Sequence, residues 1–208
     1  MAYDLEEQEQ LDEFKAWWNK HGKTVTSLVI AGLLAYAGWQ GYQYWTDKQA
    51  TEASTLYQTM LTTELSKTAD IKSQADALVK RFSGTPYAGR AALYAAKVSF
   101  QAKDVAHAKS QLEWAKTNAT ETSVQAIASL QLASIAFENK EYDAAVKLLD
   151  AVKDTGFLGL KDSMLGDILL AQGKTAEAKK AFENALNGLD QQERFYALTK
   201  QKLESLGG

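Results

Sequence analysis

The hydrophobic pattern of the chain changes near the N-terminus and is regular after that. Residues 24–45, TVTSLVIAGLLAYAGWQGYQYW, contain no charged side chain. As an α-helix, which rises about 1.5 Å per residue, this stretch is long enough to cross a hydrocarbon layer of about 30 Å. From Lys48 onward apolar residues recur at intervals of three and four with short breaks, as in packed α-helices. The pattern predicts an all-α protein with a head at 1–23, a transmembrane helix at 24–45 and a helical domain at 46–208.

The apolar stretch fits either a cleaved signal peptide or a retained anchor. The sequence AYA at 35–37 has the small-x-small form that signal peptidases accept. The residues before the stretch are, however, numerous and acidic for a signal peptide, and its apolar character continues to Trp45. Trp17 and Trp18 before it, and Tyr44 at its end, are typical of helices that end among lipid headgroups. We therefore expect an uncleaved anchor.

The distribution of lysines predicts the orientation of this anchor. Lys15, Lys20 and Lys23 precede it closely, whereas Lys48 is the only basic residue within about 20 residues after it. Positive charge favours the cytoplasmic side of a membrane. The N-terminus is therefore expected in the cytoplasm and the domain at 46–208 on the other side.

Small residues lie along the predicted span at Ala31, Ala35, Gly38 and Gly41. Such spacing lets a second helix approach closely in a bilayer, so these residues are candidates for a helix contact. Alanine and glycine are also common in any membrane helix, so the two interpretations stay open.

The domain contains a repeated pattern of small and large apolar residues. Each copy has an alanine, a larger apolar residue four positions on and a small one three further, and a second small residue precedes the alanine by twelve positions. The steps between copies are 37 and 33 residues, which implies an insertion near 118–122. The copies are Ala108, Leu112 and Ala115 with Ala96; Ala145, Leu149 and Val152 with Ala133; and Ala178, Phe182 and Ala185 with Gly166. A more degenerate copy contains Ala75, Val79 and Phe82.

This pattern resembles the tetratricopeptide repeat, a helix–turn–helix of about 34 residues in which small residues let paired helices pack closely. The resemblance predicts an α-solenoid with repeats at about 56–88, 89–122, 126–158 and 159–190 and a cap helix at 191–206.

Charge and composition exclude several kinds of function. The net charge is −3, and residues 1–23 hold six acidic residues against three lysines, so the remainder is balanced and offers no basic stripe for nucleic acid. There is no cysteine, and the two histidines, His21 and His107, are far apart in the sequence. No phosphate-binding loop or nucleophile elbow is present. We expect no enzyme activity, cofactor, metal or small-molecule ligand.

In tetratricopeptide folds the first helix of each pair lines a concave surface. By the register above, this inner row is rich in apolar residues, which would suit extended polypeptide. The competing interpretation is that these side chains pack against the next helix or lie under the C-terminal one. The inner row comprises Arg90, Leu93, Lys97 and Phe100; Ile127, Leu130, Ser134 and Phe137; and Leu160, Ser163, Asp167 and Leu170.

Three short sequences, FKAWWNKHGK at 14–23, GWQGY at 38–42 and GDILLAQGK at 166–174, together with the repeats, resemble the YfgM family. The resemblance implies an ancillary subunit of the Sec translocon, anchored in the bacterial inner membrane with its repeats in the periplasm. It also implies two partners, a membrane-anchored periplasmic prolyl isomerase chaperone and exported polypeptides. No catalytic residue is implied.

The first hypothesis is therefore a non-enzymatic adaptor or chaperone-like subunit at the translocon. The alternative is a cell-envelope scaffold that coordinates division or outer-membrane assembly with similar repeats. An anchored enzyme is disfavoured by the missing catalytic motifs. A cytosolic import receptor would require the reverse topology.

Overall fold

A computed structural model describes residues 2–192 and 194–207, and for residues 2–6 it describes the backbone alone. Within these residues every regular element is a helix, which confirms the prediction of an all-α protein for this part of the chain. Met1 of the predicted head, Glu193 of the predicted cap helix and Gly208 at the end of the predicted domain lie outside the described residues.

The helices follow one another with short connections. A single 3-10 turn, Thr155–Phe157, precedes the seventh helix. The helices are α1 (Ala2–Thr62), α2 (Thr68–Arg81), α3 (Pro86–Gln101), α4 (Val105–Asn118), α5 (Thr122–Glu138), α6 (Tyr142–Asp150), α7 (Leu158–Ala171), α8 (Thr175–Gly188) and α9 (Arg194–Ser205).

The contacts divide the chain into two units, with the boundary between Lys48 and Gln49. In the first unit the side chains of Leu28, Leu33 and Leu34 are each more than 60% exposed. Among the helices of the described residues, none combines the length and the apolarity that crossing a membrane requires. The transmembrane helix at 24–45 therefore stays a prediction.

In the second unit, three helix pairs turn in the same way. Lys103, Lys140 and Gly173 each adopt a left-handed conformation, with φ of 62°, 62° and 78°. This conformation ends a helix because the N–H groups that follow can donate hydrogen bonds to the last carbonyl groups of the helix. The same backbone hydrogen bond closes each turn: Asp104 N–H to Ser99 C=O (2.8 Å), Glu141 N–H to Ala136 C=O (2.8 Å) and Lys174 N–H to Leu169 C=O (2.9 Å).

The residues that define the sequence repeat form the contacts between paired helices. All twelve residues of the three clear copies are buried, and in the degenerate copy Ala75 and Phe82 are buried and Val79 is half-buried. The close approach is tightest at Gly166, where an added Cβ would lie 2.4 Å from a ring carbon of Phe182. Small residues at these positions are therefore a steric requirement of the pairs.

The buried residues form three successive clusters along the second unit. The first joins the last part of α1, at Ala53 and Met60, to α2 and α3. The second joins α3, α4 and α5, and the third joins α5, α6 and α7. Each pair thus packs on the next, as expected for stacked repeats.

The insertion expected near 118–122 lengthens a helix. The second helix of that pair, α4, has 14 residues, whereas the corresponding helix α6 has 9. The next helix, α5, has 17 residues against 14 in α7, whereas the connection after α4, at 119–121, is shorter than the one after α6, at 151–157. The longer step is the net result of these differences.

We predict that Gly166→Ala destabilises the protein. Alanine favours a helix over glycine, but its Cβ would overlap the ring of Phe182, and overpacking of this kind typically costs about 1–3 kcal/mol. Urea denaturation followed by circular dichroism measures the change.

The matched control is Gly84→Ala, because an added Cβ at Gly84 meets nothing within 4 Å. Equal stability of the two variants would contradict the role of the small residue at position 166.

Candidate functional site

A hollow of about 900 Å³ lies between α3 and α5. We call it the α3–α5 hollow. Helical spacing places its side chains, since residues three and four apart share a helix face. Its apolar lining comes mostly from Tyr57, Leu93, Tyr94, Phe100 and Ile127. Phe100 is 40% exposed, which is high for a phenylalanine within a packed helical unit.

Six residues of the predicted inner row line this hollow. Leu93, Ile127 and Ser134 are half-buried, whereas Arg90, Lys97 and Phe100 are exposed. The six are Arg90, Leu93, Lys97 and Phe100 of α3 and Ile127 and Ser134 of α5.

A second hollow, of about 350 Å³, lies among α5, α7 and α9. It shares Gln131 and Ser134 with the α3–α5 hollow. The residues of the predicted inner row that line it are Leu130, Ser134, Leu160, Ser163 and Asp167, and α9 adds Phe195, Leu198, Thr199 and Lys202.

The C-terminal helix α9 is attached to α7 through polar side chains. Ser163 Oγ and Thr199 Oγ1 share a hydrogen bond of 2.8 Å, and both residues are buried. Lys202 Nζ donates to Asp167 Oδ2 at 2.7 Å. The interpretation in which the C-terminal helix covers inner-row residues therefore applies to Ser163 and in part to Asp167.

Two predicted residues line neither hollow. Phe137 packs with the third buried cluster, and its ring centroid lies 6.0 Å from that of Tyr142. Leu170 is 37% exposed at the end of α7. Helical periodicity assigned both to the inner row because it identifies a helix face and cannot tell how far along that face a neighbour reaches.

The charges of the α3–α5 hollow are partly neutralised within the protein. Arg90 donates two hydrogen bonds to the carboxylate of Glu121, at 2.9 and 2.7 Å, and the bonds to Glu121 raise the pKa of Arg90. Burial raises the pKa of the Tyr57 hydroxyl. Lys97 and Glu138 also line the hollow, and neither has a hydrogen-bonded or ionic partner among the described residues.

A polar cluster between α2, α3 and α4 contains a serine, a histidine and an aspartate in contact. Ser99 Oγ and His107 Nδ1 share a hydrogen bond of 2.8 Å, and His107 Nε2 lies 3.5 Å from Asp76 Oδ1. Sequence reasoning missed this arrangement because Asp76 comes from another helix. Ser99 is completely buried, so a substrate carbonyl cannot reach its Oγ. The cluster therefore serves to connect three helices.

The neighbouring residues support this structural interpretation. Gln111 Nε2 donates to Asp76 Oδ1 at 2.6 Å, and Asp104 accepts from both Lys72 Nζ and the N–H of His107. The hydrogen bond from Lys72, followed by that from His107, lowers the pKa of Asp104. Across the described residues no group of three or more acidic or histidine side chains could hold a metal ion.

Paired helices in contact through small residues, with hollows along the first helices of the pairs, define a helical repeat protein of the tetratricopeptide type. A family model described as a tetratricopeptide repeat-like domain matches residues 15–208.

Relatives match the chain over nearly its whole length. A protein of Haemophilus influenzae is 31% identical and one of Neisseria gonorrhoeae is 32% identical, each over 99% of this chain and 100% of the relative. A protein of Escherichia coli is 28% identical over 85% of both chains. All three carry the name "Ancillary SecYEG translocon subunit". The chain therefore belongs to the YfgM family, and the family resemblance seen in the sequence is confirmed.

We predict that the buried pair between Ser163 and Thr199 couples α7 to α9. Ser163→Ala or Thr199→Val alone leaves one buried hydroxyl without a partner, which should cost about 1–3 kcal/mol of unfolding free energy. The double variant removes both hydroxyl groups and should cost less than the sum of the single changes.

A double-mutant cycle measured by urea denaturation tests this prediction, and Ser110→Ala on the exposed side of α4 is the control. Strictly additive effects would show that the two hydroxyl groups act independently.

Proposed function

We propose that this protein is a non-enzymatic ancillary subunit of the Sec translocon, acting as an adaptor or chaperone-like factor for polypeptides that emerge in the periplasm. The names of the three relatives support the association with the translocon. The similarity to the proteins of Haemophilus influenzae and Neisseria gonorrhoeae extends over 99% of this chain and so includes the head, the apolar stretch and the repeats. The family resemblance further suggests a membrane-anchored prolyl isomerase chaperone as a partner.

The observation that carries the polypeptide-binding part of the proposal is the open α3–α5 hollow. Aromatic and aliphatic side chains line it, and one of them, Phe100, is 40% exposed. An uncovered apolar surface of this kind is typical of sites that bind other polypeptides. Such contacts require no particular sequence, which suits a factor that meets many exported chains.

Residues 24–45 act in this proposal as a membrane anchor with the N-terminus in the cytoplasm. Five apolar side chains of this helix each expose more than half of their surface: Leu28, Val29, Ile30, Leu33 and Leu34. Because the chain does not bury them, lipid or a partner protein would have to cover them. Anchoring would hold the repeats near the channel exit at high effective concentration, so weak contacts would suffice.

The small residues of this helix are proposed to contact another membrane helix. An added Cβ at Gly38 or at Gly41 would meet nothing within 4 Å, so neither glycine is required by a contact within the chain. Together with Ala31 and Ala35 they offer a surface that a partner helix could approach closely.

We predict that the head and the repeats lie on opposite sides of the inner membrane. The chain has no cysteine, so single cysteines can be introduced as reporters. In spheroplasts a membrane-impermeant maleimide should label Ser110→Cys, in the repeats, and should leave Glu9→Cys, in the head, unlabelled until the cells are lysed.

Both positions are exposed, so a difference in labelling reports the membrane side and not burial. Labelling of Glu9→Cys alone would reverse the topology, and release of the repeats into the soluble fraction would indicate cleavage after position 37.

We predict that a photo-crosslinking residue at position 100 captures exported polypeptide. The experiment uses membrane vesicles that hold an exported chain stalled in the channel. Phe100, in the α3–α5 hollow, should yield adducts with the stalled chain. Lys180, exposed on α8, is the control position and should yield few.

Absence of adducts with the stalled chain and with every translocon component, from position 100, would refute the proposal. Adducts with division or outer-membrane assembly proteins in place of the translocon would favour the scaffold function instead.

A further inference from the structure

Two free charges of opposite sign line the α3–α5 hollow. Lys97 lies on α3 and Glu138 lies near the end of α5. The other charged residues of the lining, Arg90 and Glu121, neutralise each other in a two-pronged ion pair. Within the described part of the chain, Lys97 and Glu138 are thus the charges of the hollow that no protein group satisfies.

Within the described ranges, Lys97 lacks the counter-charge that the residue at the equivalent position of α7 has. The repeat register aligns Lys97 of α3 with Ser134 of α5 and Asp167 of α7. Asp167 pairs with Lys202 of α9, at 2.7 Å. Ser134, the equivalent residue of α5, shares the hollow with Lys97 and carries no charge. Asp167 thus receives its counter-charge from within the chain, whereas Lys97 receives none among the described residues.

The repeat register gives the offset of the two charges along the helix axes, because equivalent residues of stacked repeats lie at about the same level. Ser134 marks the level of Lys97 on α5, and Glu138 lies four residues, or about 6 Å, further along that helix. In an extended chain, residues two apart point to the same side and are separated by about 6.6 Å. One turn before Lys97, Leu93 and Tyr94 form an apolar part of the lining.

We propose that the α3–α5 hollow binds an extended polypeptide segment with an apolar residue, an acidic residue and a basic residue at alternate positions. The apolar side chain contacts Leu93 and Tyr94, the carboxylate pairs with Lys97, and the basic group pairs with Glu138. This inference rests on the proposed function, because an exported chain emerging from a channel is unfolded and can present an extended segment. It adds a preference for one arrangement of charge to a surface that is otherwise apolar.

The test uses two fluorescein-labelled peptides of identical composition. One alternates leucine, glutamate and lysine along one side, and the other has the glutamate and the lysine exchanged. Each is titrated with the full-length protein in detergent micelles, and binding is measured by fluorescence anisotropy. Exposed charge pairs are individually weak, so replacing two attractions by two repulsions should weaken binding roughly tenfold, less at high salt.

The decisive variant is the double exchange Lys97→Glu with Glu138→Lys, which keeps the net charge. It should reverse the preference, binding the exchanged peptide more tightly than the original. Lys97→Met, which keeps an apolar stem but removes the charge, should reduce the preference without reversing it. Both positions are exposed, and circular dichroism of each variant confirms that the fold is retained.

Equal binding of the two peptides, an unchanged preference in the double variant, or no binding of either peptide would overturn the inference. So would a dimer of this chain that Phe100→Glu dissociates, because a second copy would then occupy the hollow. Crosslinking of stalled chains from position 100 distinguishes failure of this inference from failure of the proposed function. If it persists without the charge preference, only this inference fails, and if it is also absent, the proposed function fails with it.

Discussion

The close approach of the two helices in each repeat is the steric constraint on which the second unit depends. Gly166 meets the ring of Phe182, and Gly159 lies against the backbone of Gly188, where an added Cβ would come within 2.7 Å. Because the helices nearly touch, larger residues are excluded along one stripe of each. The left-handed turns that end the first helices meet the same requirement, because a short turn lets the second helix pack directly against the first.

This packing also determines where the exposed apolar residues lie. Each first helix directs one face toward its pair and its neighbours, and that face fills the three buried clusters. Another face of the same helices remains partly exposed along α3 and α5, where Leu93, Phe100 and Ile127 line the α3–α5 hollow. The surface proposed to bind polypeptide is thus formed by the helices that build the core, which makes it a rigid platform.

Polar side chains add connections that the apolar clusters do not make. Hydrogen bonds of Ser99, His107 and Gln111 connect α2, α3 and α4 on one side of the unit. The pair between Ser163 and Thr199 attaches the last helix on the other. A serine beside a histidine and an aspartate is here part of the framework, because complete burial separates the serine from any substrate. Proximity of such groups alone is therefore insufficient evidence for catalysis.

The all-α class, the repeat and the residues between paired helices could be predicted from the sequence alone. Small residues at a fixed spacing indicate that two helices must approach closely, and few folds meet that requirement. Helical periodicity also predicted which residues share a face of the first helices, and the four predicted on α3 line the α3–α5 hollow. The packing of the helices was needed to show that Phe100 is exposed while Phe137, its equivalent, packs on Tyr142. It was also needed to show that, among the described residues, Asp167 is paired while Lys97 is not. These differences depend on side chains from helices distant in sequence, and periodicity within one helix carries no information about which neighbour reaches it.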